Sequence, residues 1–266
     1  MSTISDPGPF ARELLHKLDL KPPIDVFFIC DNFNIIIKND KLRDFEAVFI
    51  LHKGAKKIVL NENINYETRK NFTIAHEIGH YILPWHKQTM YICDSIDIQS
   101  FQSKKSEEVE ANRFAAELLI PTEYLLDDIK NKEINIALIK QLAEKYKVSL
   151  TSIGIRIVEN TYNPIALVLS ENGKIKWSIK SKSFLKKILP NGTYLREQSF
   201  AFDFFNGNCI PAGPQMVYSI GWLENGSFYE YIKEESLQMP NLNMVLTLLT
   251  FENQEEEFND NEFDDW

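Results

Sequence analysis

The feature that most constrains this chain is an apolar helical pattern that carries two histidines one turn apart. The pattern runs from about Tyr66 to Leu83, and Pro84 ends it. Its apolar residues are numerous enough for a buried helix: Phe72, Ile74, Ala75, Ile78 and Ile82. His76 and His80 lie four positions apart and therefore share one helical face. Because buried imidazoles need polar partners, the fold must bring such groups to this face.

Residues 76–80 read His-Glu-Ile-Gly-His, a spacing that suits a metal ion. Two imidazoles on one face can reach the same ion, and histidine is a good zinc ligand. Glu77 is a poor fit as a ligand, but it is well placed to hold a water molecule that the metal activates and to accept its proton. This is the physical logic of zinc-dependent peptide hydrolysis. The alternative is an amphipathic helix whose histidines are merely surface or hydrogen-bonded groups.

Catalytic zinc usually has three protein ligands and one open position, so a third ligand is needed. The helical pattern at residues 106–120 offers Glu107, Glu108 and Glu110. Glu108 shares a face with Ala111, whose small side chain lets two helices approach closely. Asn112 lies on that face too and could accept a hydrogen bond from a ligand histidine, which would fix its tautomer. Glu110 lies about 200 degrees around the helix from Glu108, so only one of them can point at a metal. Glu107 is the neighbouring alternative.

Other polar residues near the first helix offer weaker candidates. His86 and Tyr81 lie near its end, where either could stabilise an oxyanion, although we expect both to be structural. The remaining histidines, His16 and His52, lie far from this helix in sequence.

Two long motifs in this chain resemble the signature of ImmA/IrrE-type metallopeptidases. Residues 71–83 read NFTIAHEIGHYIL, and residues 108–121 read EVEANRFAAELLIP. Residues 22–26, Pro-Pro-Ile-Asp-Val, also look like the entry segment of this family. The resemblance extends from residue 9 to about residue 160.

The resemblance implies a zincin-like, gluzincin-type site and assigns its residues. His76, His80 and Glu108 would be the metal ligands, Glu77 the general base, and Asn112 the residue that orients a ligand histidine. Asn112 departs from the aspartate of many gluzincins, and an amide does not raise the basicity of the histidine as a carboxylate would, which implies a lower activity. The implied cofactor is Zn²⁺, with Mn²⁺ or another divalent ion as alternatives.

The implied activity is that of a bacterial or phage-derived cytoplasmic endopeptidase. Its substrate would be a cognate helix-turn-helix repressor, cut in a stress or mobile-element response. The alternative is a regulatory protein that binds a transcription factor without cutting it and carries a structural or vestigial metal site. Glu77 favours the enzyme, because holding a metal does not by itself require this residue.

Residues 139–157 form a pattern typical of a helix-turn-helix. The segment from Lys130 to Ile157 has six bases and two acids. The second helix is apolar, however, and Arg156 is its only base. We therefore expect this segment to pack on the catalytic domain, as it does in the family, and we do not expect direct DNA binding.

The chain divides into three parts. We predict an α+β metallopeptidase domain at residues 1–160, including the helix-turn-helix-like segment 130–158, then a smaller, mostly β domain at 161–251. Residues 252–266 hold eight of the nine net negative charges and predict an acidic, disordered tail. The rest of the chain is nearly neutral and lacks the broad basic field of a nucleic-acid-binding protein.

Strands are predicted at several places by Ile, Val and Phe content. The first is the segment 24–37, which we interpret as extended, and the others include 47–51, 57–60, 165–169, 174–179 and 245–251. No apolar run reaches the roughly 18 residues that span a bilayer, and the N-terminus lacks the basic and apolar regions of a secretory signal. Three widely spaced cysteines agree with a reducing compartment. We therefore expect a cytoplasmic protein with no membrane association.

Overall fold

The computed structural model describes residues 6–93 and 106–251. The chain divides into two compact units, with the boundary between Ile157 and Val158. The mixture of helices and strands confirms the predicted α+β class, with a β-rich C-terminal region. The predicted acidic tail at 252–266 lies outside the described residues. Within the described ranges, no helix is both long and apolar enough to cross a membrane.

The first unit builds a small mixed sheet and a set of helices. Its elements are α1 (Gly8–Lys17), α2 (Val26–Asn32), β1 (Ile35–Asp40), β2 (Ala47–His52), β3 (Ala55–Asn61), α3 (Glu67–Ile82), β4 (Met90–Cys93), α4 (Ser106–Leu119), α5 (Thr122–Ile129), α6 (Ile136–Tyr146) and α7 (Leu150–Asn160), the last of which runs past the boundary. The strand order is β1-β3-β2-β4. β1 runs parallel to β3, and the other pairs are antiparallel. Among the described strands, the short strand β4 therefore lies at one edge of the sheet.

The sequence explains the hairpin between β2 and β3. Lys53 and Gly54 connect the strands, and both adopt positive φ angles, 48° and 80°. Two-residue hairpin turns of this kind match the right-handed twist of the strands.

The expectation of extended structure throughout residues 24–37 was wrong in its first half, because Val26–Asn32 forms α2. The side chain of Asp25 caps this helix and accepts hydrogen bonds from the backbone N–H groups of Phe27 and Phe28. The buried residues of α2 are Val26, Ile29 and Cys30, which have helical spacing. The strand begins only at Ile35.

Helices α3 and α4 pack closely against each other. A Cβ atom added at Gly79 would lie 3.1 Å from Cδ1 of Phe114 and 3.4 Å from Cα of Ala111. The close approach therefore needs glycine on α3 as well as the small residue that the sequence showed on α4. Arg69 ties α3 to the sheet, because its guanidinium binds both carboxylate oxygens of Glu46 at 2.6 and 2.7 Å.

The helix-turn-helix-like segment forms α6 and α7, with Lys147 in the left-handed conformation at the turn. Arg156 on α7 points into the protein. Its guanidinium donates to Glu117 at 2.6 Å, to Thr122 at 2.9 Å and to the carbonyl of Ile120 at 3.1 Å. The only base of the second helix in this segment thus has an internal partner.

The second unit is built on an antiparallel five-stranded sheet of order β6-β5-β9-β8-β7. Its elements are β5 (Ile165–Glu171), β6 (Lys174–Lys180), α8 (Phe200–Phe205), β7 (Gln215–Tyr218), β8 (Tyr231–Met239) and β9 (Met244–Thr250). Trp222 and Phe184 are buried in its apolar core. Glu234 is buried as well, and it accepts hydrogen bonds from the Trp222 indole and from two backbone N–H groups at the start of α8.

Replacing Arg156 with leucine is expected to lower the free energy of unfolding by about 2–4 kcal/mol, because it leaves the buried Glu117 carboxylate without its closest cation. Urea-induced unfolding followed by circular dichroism measures the change. The matched control is Arg113→Leu, which removes an exposed arginine from α4 and is expected to change stability by less than about 0.5 kcal/mol. An equal loss in the free energy of unfolding of the two variants would show that the ion pair of Arg156 with Glu117 does not stabilise the fold.

Candidate metal centre

Four buried side chains converge between α3, α4 and β4. The donor atoms are Nε2 of His76, Nε2 of His80, one carboxylate oxygen of Glu108 and Sγ of Cys93, and all lie within 4.8 Å of one another. The two histidine Nε2 atoms are 3.1 Å apart. The nearer Glu108 oxygen lies 3.1 Å from His76 and 3.6 Å from His80. The Cys93 sulfur lies 3.2 Å from His76 and 3.7 Å from His80.

These distances suit a single metal ion. Ligands about 2.0–2.3 Å from a tetrahedral centre lie about 3.3–3.7 Å from one another, close to the spacing of the donors here. Imidazole, carboxylate and thiolate are all ligands that zinc accepts. The set therefore fits a divalent metal.

Asn112 fixes the orientation of His76. The amide oxygen of Asn112 lies 2.9 Å from Nδ1 of His76. Because that oxygen can only accept, His76 must donate from Nδ1, and its Nε2 lone pair then points into the cluster. The Asn112 amide therefore lies where it can hold His76 in one tautomer.

A second chain of hydrogen bonds orients His80. Nε2 of His86 lies 3.1 Å from a carboxylate oxygen of Glu110, which also accepts from the Trp85 indole at 2.7 Å. His86 therefore donates from Nε2, and its Nδ1 is left as an acceptor 3.0 Å from Nδ1 of His80. His80 then donates to it and directs its Nε2 lone pair at the cluster. From the sequence, His86 was a weak candidate for the oxyanion and Glu110 an alternative metal ligand, but in the structure the two together set the tautomer of His80.

The three glutamates of α4 have separate environments. Glu108 faces the histidines, Glu110 binds His86, and Glu107 is half-buried and accepts a hydrogen bond from Gln88. Burial alone would raise the pKa of Glu108, but the adjacent His76 and His80 side chains lower it far below its ordinary value. Burial also lowers the pKa of His80 to about 3, which keeps its imidazole neutral, as a metal ligand must be.

Glu77 is fully buried beside the cluster. Both of its carboxylate oxygens lack a hydrogen-bond partner within residues 6–93 and 106–251. Burial raises its pKa to about 7, and the nearby His76 offsets only part of this effect. Since a buried carboxylate without a partner is costly, this side chain is available to a ligand or a substrate.

Cys93 is the member of the cluster that sequence reasoning missed. Alternate residues of β4 are buried, so Tyr91 and Cys93 face the same side. Tyr91 stacks on His80 with the two ring centroids 3.9 Å apart. The Cys93 sulfur lies 3.2 Å from Nε2 of His76 and 3.7 Å from Nε2 of His80. Burial and the carboxylates of Glu77 and Glu108 raise the pKa of the Cys93 thiol. The alternation Met-Tyr-Ile-Cys was the signal, although four residues are too few to identify a strand from sequence.

The remaining candidates lie outside the cluster. The hydroxyl of Tyr81 accepts a hydrogen bond from Lys56 at 3.2 Å, and its ring packs on Phe33 and Phe49. His16 and His52 are exposed.

The family model Peptidase_M78, the IrrE N-terminal-like domain, matches residues 33–158. "Uncharacterized immunity region protein 2" of Bacillus phage phi105 is 30% identical over 142 residues, which cover 48% of this chain and 85% of the phage protein. This chain belongs to the IrrE N-terminal-like family. The family assignment confirms the resemblance drawn from the two sequence motifs.

A solved structure supports the fold of this family member. A structure titled "Mycobacterium tuberculosis transcriptional regulator" matches with a TM-score of 0.55 and 14% identity. The match covers 92% of this chain and 75% of the other chain. At this level of identity, it supports the architecture alone.

The variant Glu110→Gln is expected to weaken zinc binding about 10- to 100-fold, the usual effect of losing a group that orients a ligand. A glutamine amide can donate to Nε2 of His86, which would reverse the hydrogen-bond chain and turn an N–H of His80 towards the cluster. Competition with a fluorescent chelator measures the affinity. The variant Glu107→Gln, at the half-buried neighbour, is expected to bind zinc like the wild type. An unchanged zinc affinity in Glu110→Gln would show that the hydrogen bonds from Glu110 through His86 do not orient His80.

Proposed function

We propose that this protein is a metal-dependent endopeptidase. His76, His80 and Glu108 would hold a divalent ion, with Zn²⁺ the best match to the donor set and Mn²⁺ an alternative. When bound, the ion supplies Lewis-acid chemistry, which activates water at neutral pH and polarises the scissile carbonyl.

The residues around the ion would transfer the proton and orient the ligand histidines. Glu77 accepts the proton of the attacking water and returns it to the leaving amine nitrogen. Asn112 keeps the His76 imidazole in its ligand tautomer. His86, held by Glu110, does the same for His80.

The observation that carries this proposal is the buried, unpartnered carboxylate of Glu77 beside the donor cluster. A protein that only needed to hold a metal would gain nothing from such a group and would lose stability by burying it. A raised pKa near 7 suits a group that must accept and return a proton at neutral pH.

We further propose that the substrate is a helix-turn-helix repressor and that the protein acts in the cytoplasm in a stress or mobile-element response. The name of the phage relative refers to an immunity region, which agrees with a regulatory substrate. The internal pairing of Arg156 favours a protein partner over direct contact with DNA, because the second helix of the helix-turn-helix-like segment carries no other base.

A non-cleaving regulator that binds a transcription factor is the second candidate. The observation that favours it is the Cys93 sulfur in the donor cluster, because four protein ligands are typical of structural zinc sites.

Cleavage of the helix-turn-helix protein encoded nearest to this gene tests the proposal. The variant Glu77→Gln is expected to slow cleavage by about 10²- to 10⁴-fold, because it removes the proton acceptor. Zinc affinity should stay within a few-fold of the wild type. The exposed Glu67 lies on the same helix, so Glu67→Gln provides the matched control and should cleave normally. Tight binding of the partner without cleavage by any variant would favour the non-cleaving regulator.

A further inference from the structure

Cys93 occupies a position that the proposed peptidase mechanism does not use. Its sulfur is buried and lies as close to the two histidine Nε2 atoms as the Glu108 carboxylate does, at 3.2 and 3.7 Å. Cys30 and Cys209 are not members of the cluster. A catalytic zinc site keeps one position for water or substrate, and the thiol stands where that position would be.

We propose that Cys93 is a fourth protein ligand that completes the coordination of the metal and keeps the peptidase latent until its sulfur leaves. The inference rests on the proposed function, since the other three ligands belong to the same site. On binding, the Sγ–H bond breaks, a metal–sulfur bond forms and the proton passes to solvent.

The donor geometry supports coordination by all four residues. Five of the distances between the donor atoms range from 3.1 to 3.7 Å, and none of the four donors is more than 4.8 Å from another. Tetrahedral ligands of zinc lie about 3.3–3.7 Å apart, so small adjustments of side chains would close the shell. Thiolate is also the strongest zinc ligand in this set, and it would displace water from the ion.

The elements that carry the ligands differ in how firmly they are held. His76, His80 and Glu108 come from α3 and α4, which are long helices packed closely at Gly79. Cys93 ends the four-residue strand β4, which pairs with β2 at the edge of the described sheet. Edge strands are hydrogen-bonded on one side and open more easily than packed helices. Cys93 is therefore the ligand whose release would open the site.

The consequence for catalysis follows from Glu77. With sulfur on the metal, no water can bind there, and the Glu77 carboxylate has nothing to deprotonate. Release of Cys93 would admit water between the metal and Glu77. One side-chain movement would then convert a closed site into an open one.

Cobalt substitution of the full-length protein tests this inference without relying on activity. The wild type is expected to bind one Co²⁺ with a near-ultraviolet thiolate-to-cobalt charge-transfer absorption. Cys93→Ala and the nearly isosteric Cys93→Ser should bind one Co²⁺ without that absorption and bind zinc about 10-fold or more weakly. The matched controls Cys30→Ala and Cys209→Ala should keep the absorption, because neither thiol belongs to the cluster.

A small hydroxamate probes the open position. It should change the visible cobalt spectrum of the Cys93 variants and leave that of the wild type unchanged, because only the variants have a free site. An unaltered charge-transfer absorption in both Cys93 variants, no such absorption in the wild type, or no cobalt binding would overturn the inference.

The same measurements separate this inference from the proposed function. The thiolate absorption without any Glu77-dependent cleavage would support Cys93 as a ligand and contradict the peptidase. Glu77-dependent cleavage by a wild type that lacks the absorption would support the peptidase and contradict the latent site. Where cleavage is found, the Cys93 variants should be at least about 10-fold faster than the wild type at equal metal loading.

Discussion

The first unit depends on one constraint: two histidines of α3 and a glutamate of α4 must meet at one buried point. Nε2 atoms 3.1 Å apart repel each other unless a positive charge lies between them. Both histidines lie on α3, and the close packing of α3 on α4 at Gly79 brings Glu108 and Asn112 to them. The Nδ1 atom of each imidazole is hydrogen-bonded on the side away from the cluster, that of His76 to Asn112 and that of His80 to His86. The donor cluster therefore forms only when α3 packs closely on α4.

Much of this arrangement could be predicted because it lies within two helices. Helical periodicity places His76 and His80 on one face, and it places Glu108, Ala111 and Asn112 on one face of the other helix. The family resemblance then selected Glu108 from its neighbours. The role of Glu110 could not be found this way, because its partner His86 follows a turn whose path periodicity does not specify. Cys93 was missed for a similar reason, since the register of a four-residue strand is set by its pairing with β2.

Two other segments show where local patterns mislead. Residues 26–32 have the Val, Ile and Phe content of a strand, but the Asp25 carboxylate accepts hydrogen bonds from the N–H groups of Phe27 and Phe28 and so begins a helix there. The helix-turn-helix pattern is real in shape, as α6 and α7 show, but its arginine is used to neutralise Glu117 inside the protein. A capping side chain begins a helix in the first segment, and an internal ion pair engages the arginine of the second segment.

The buried carboxylate of Glu77 and the neighbouring thiol of Cys93 are related by the proposed regulation of the site. Neither carboxylate oxygen of Glu77 has a hydrogen bond of normal geometry within the described residues, and burying such a group destabilises the fold. The Cys93 thiol lies beside that carboxylate and beside both histidines. In the proposed latent site, departure of the sulfur would admit water, and Glu77 would gain a hydrogen-bond donor. A metal–sulfur bond would then be exchanged for a hydrated carboxylate, and two states of similar free energy are what a regulated site requires.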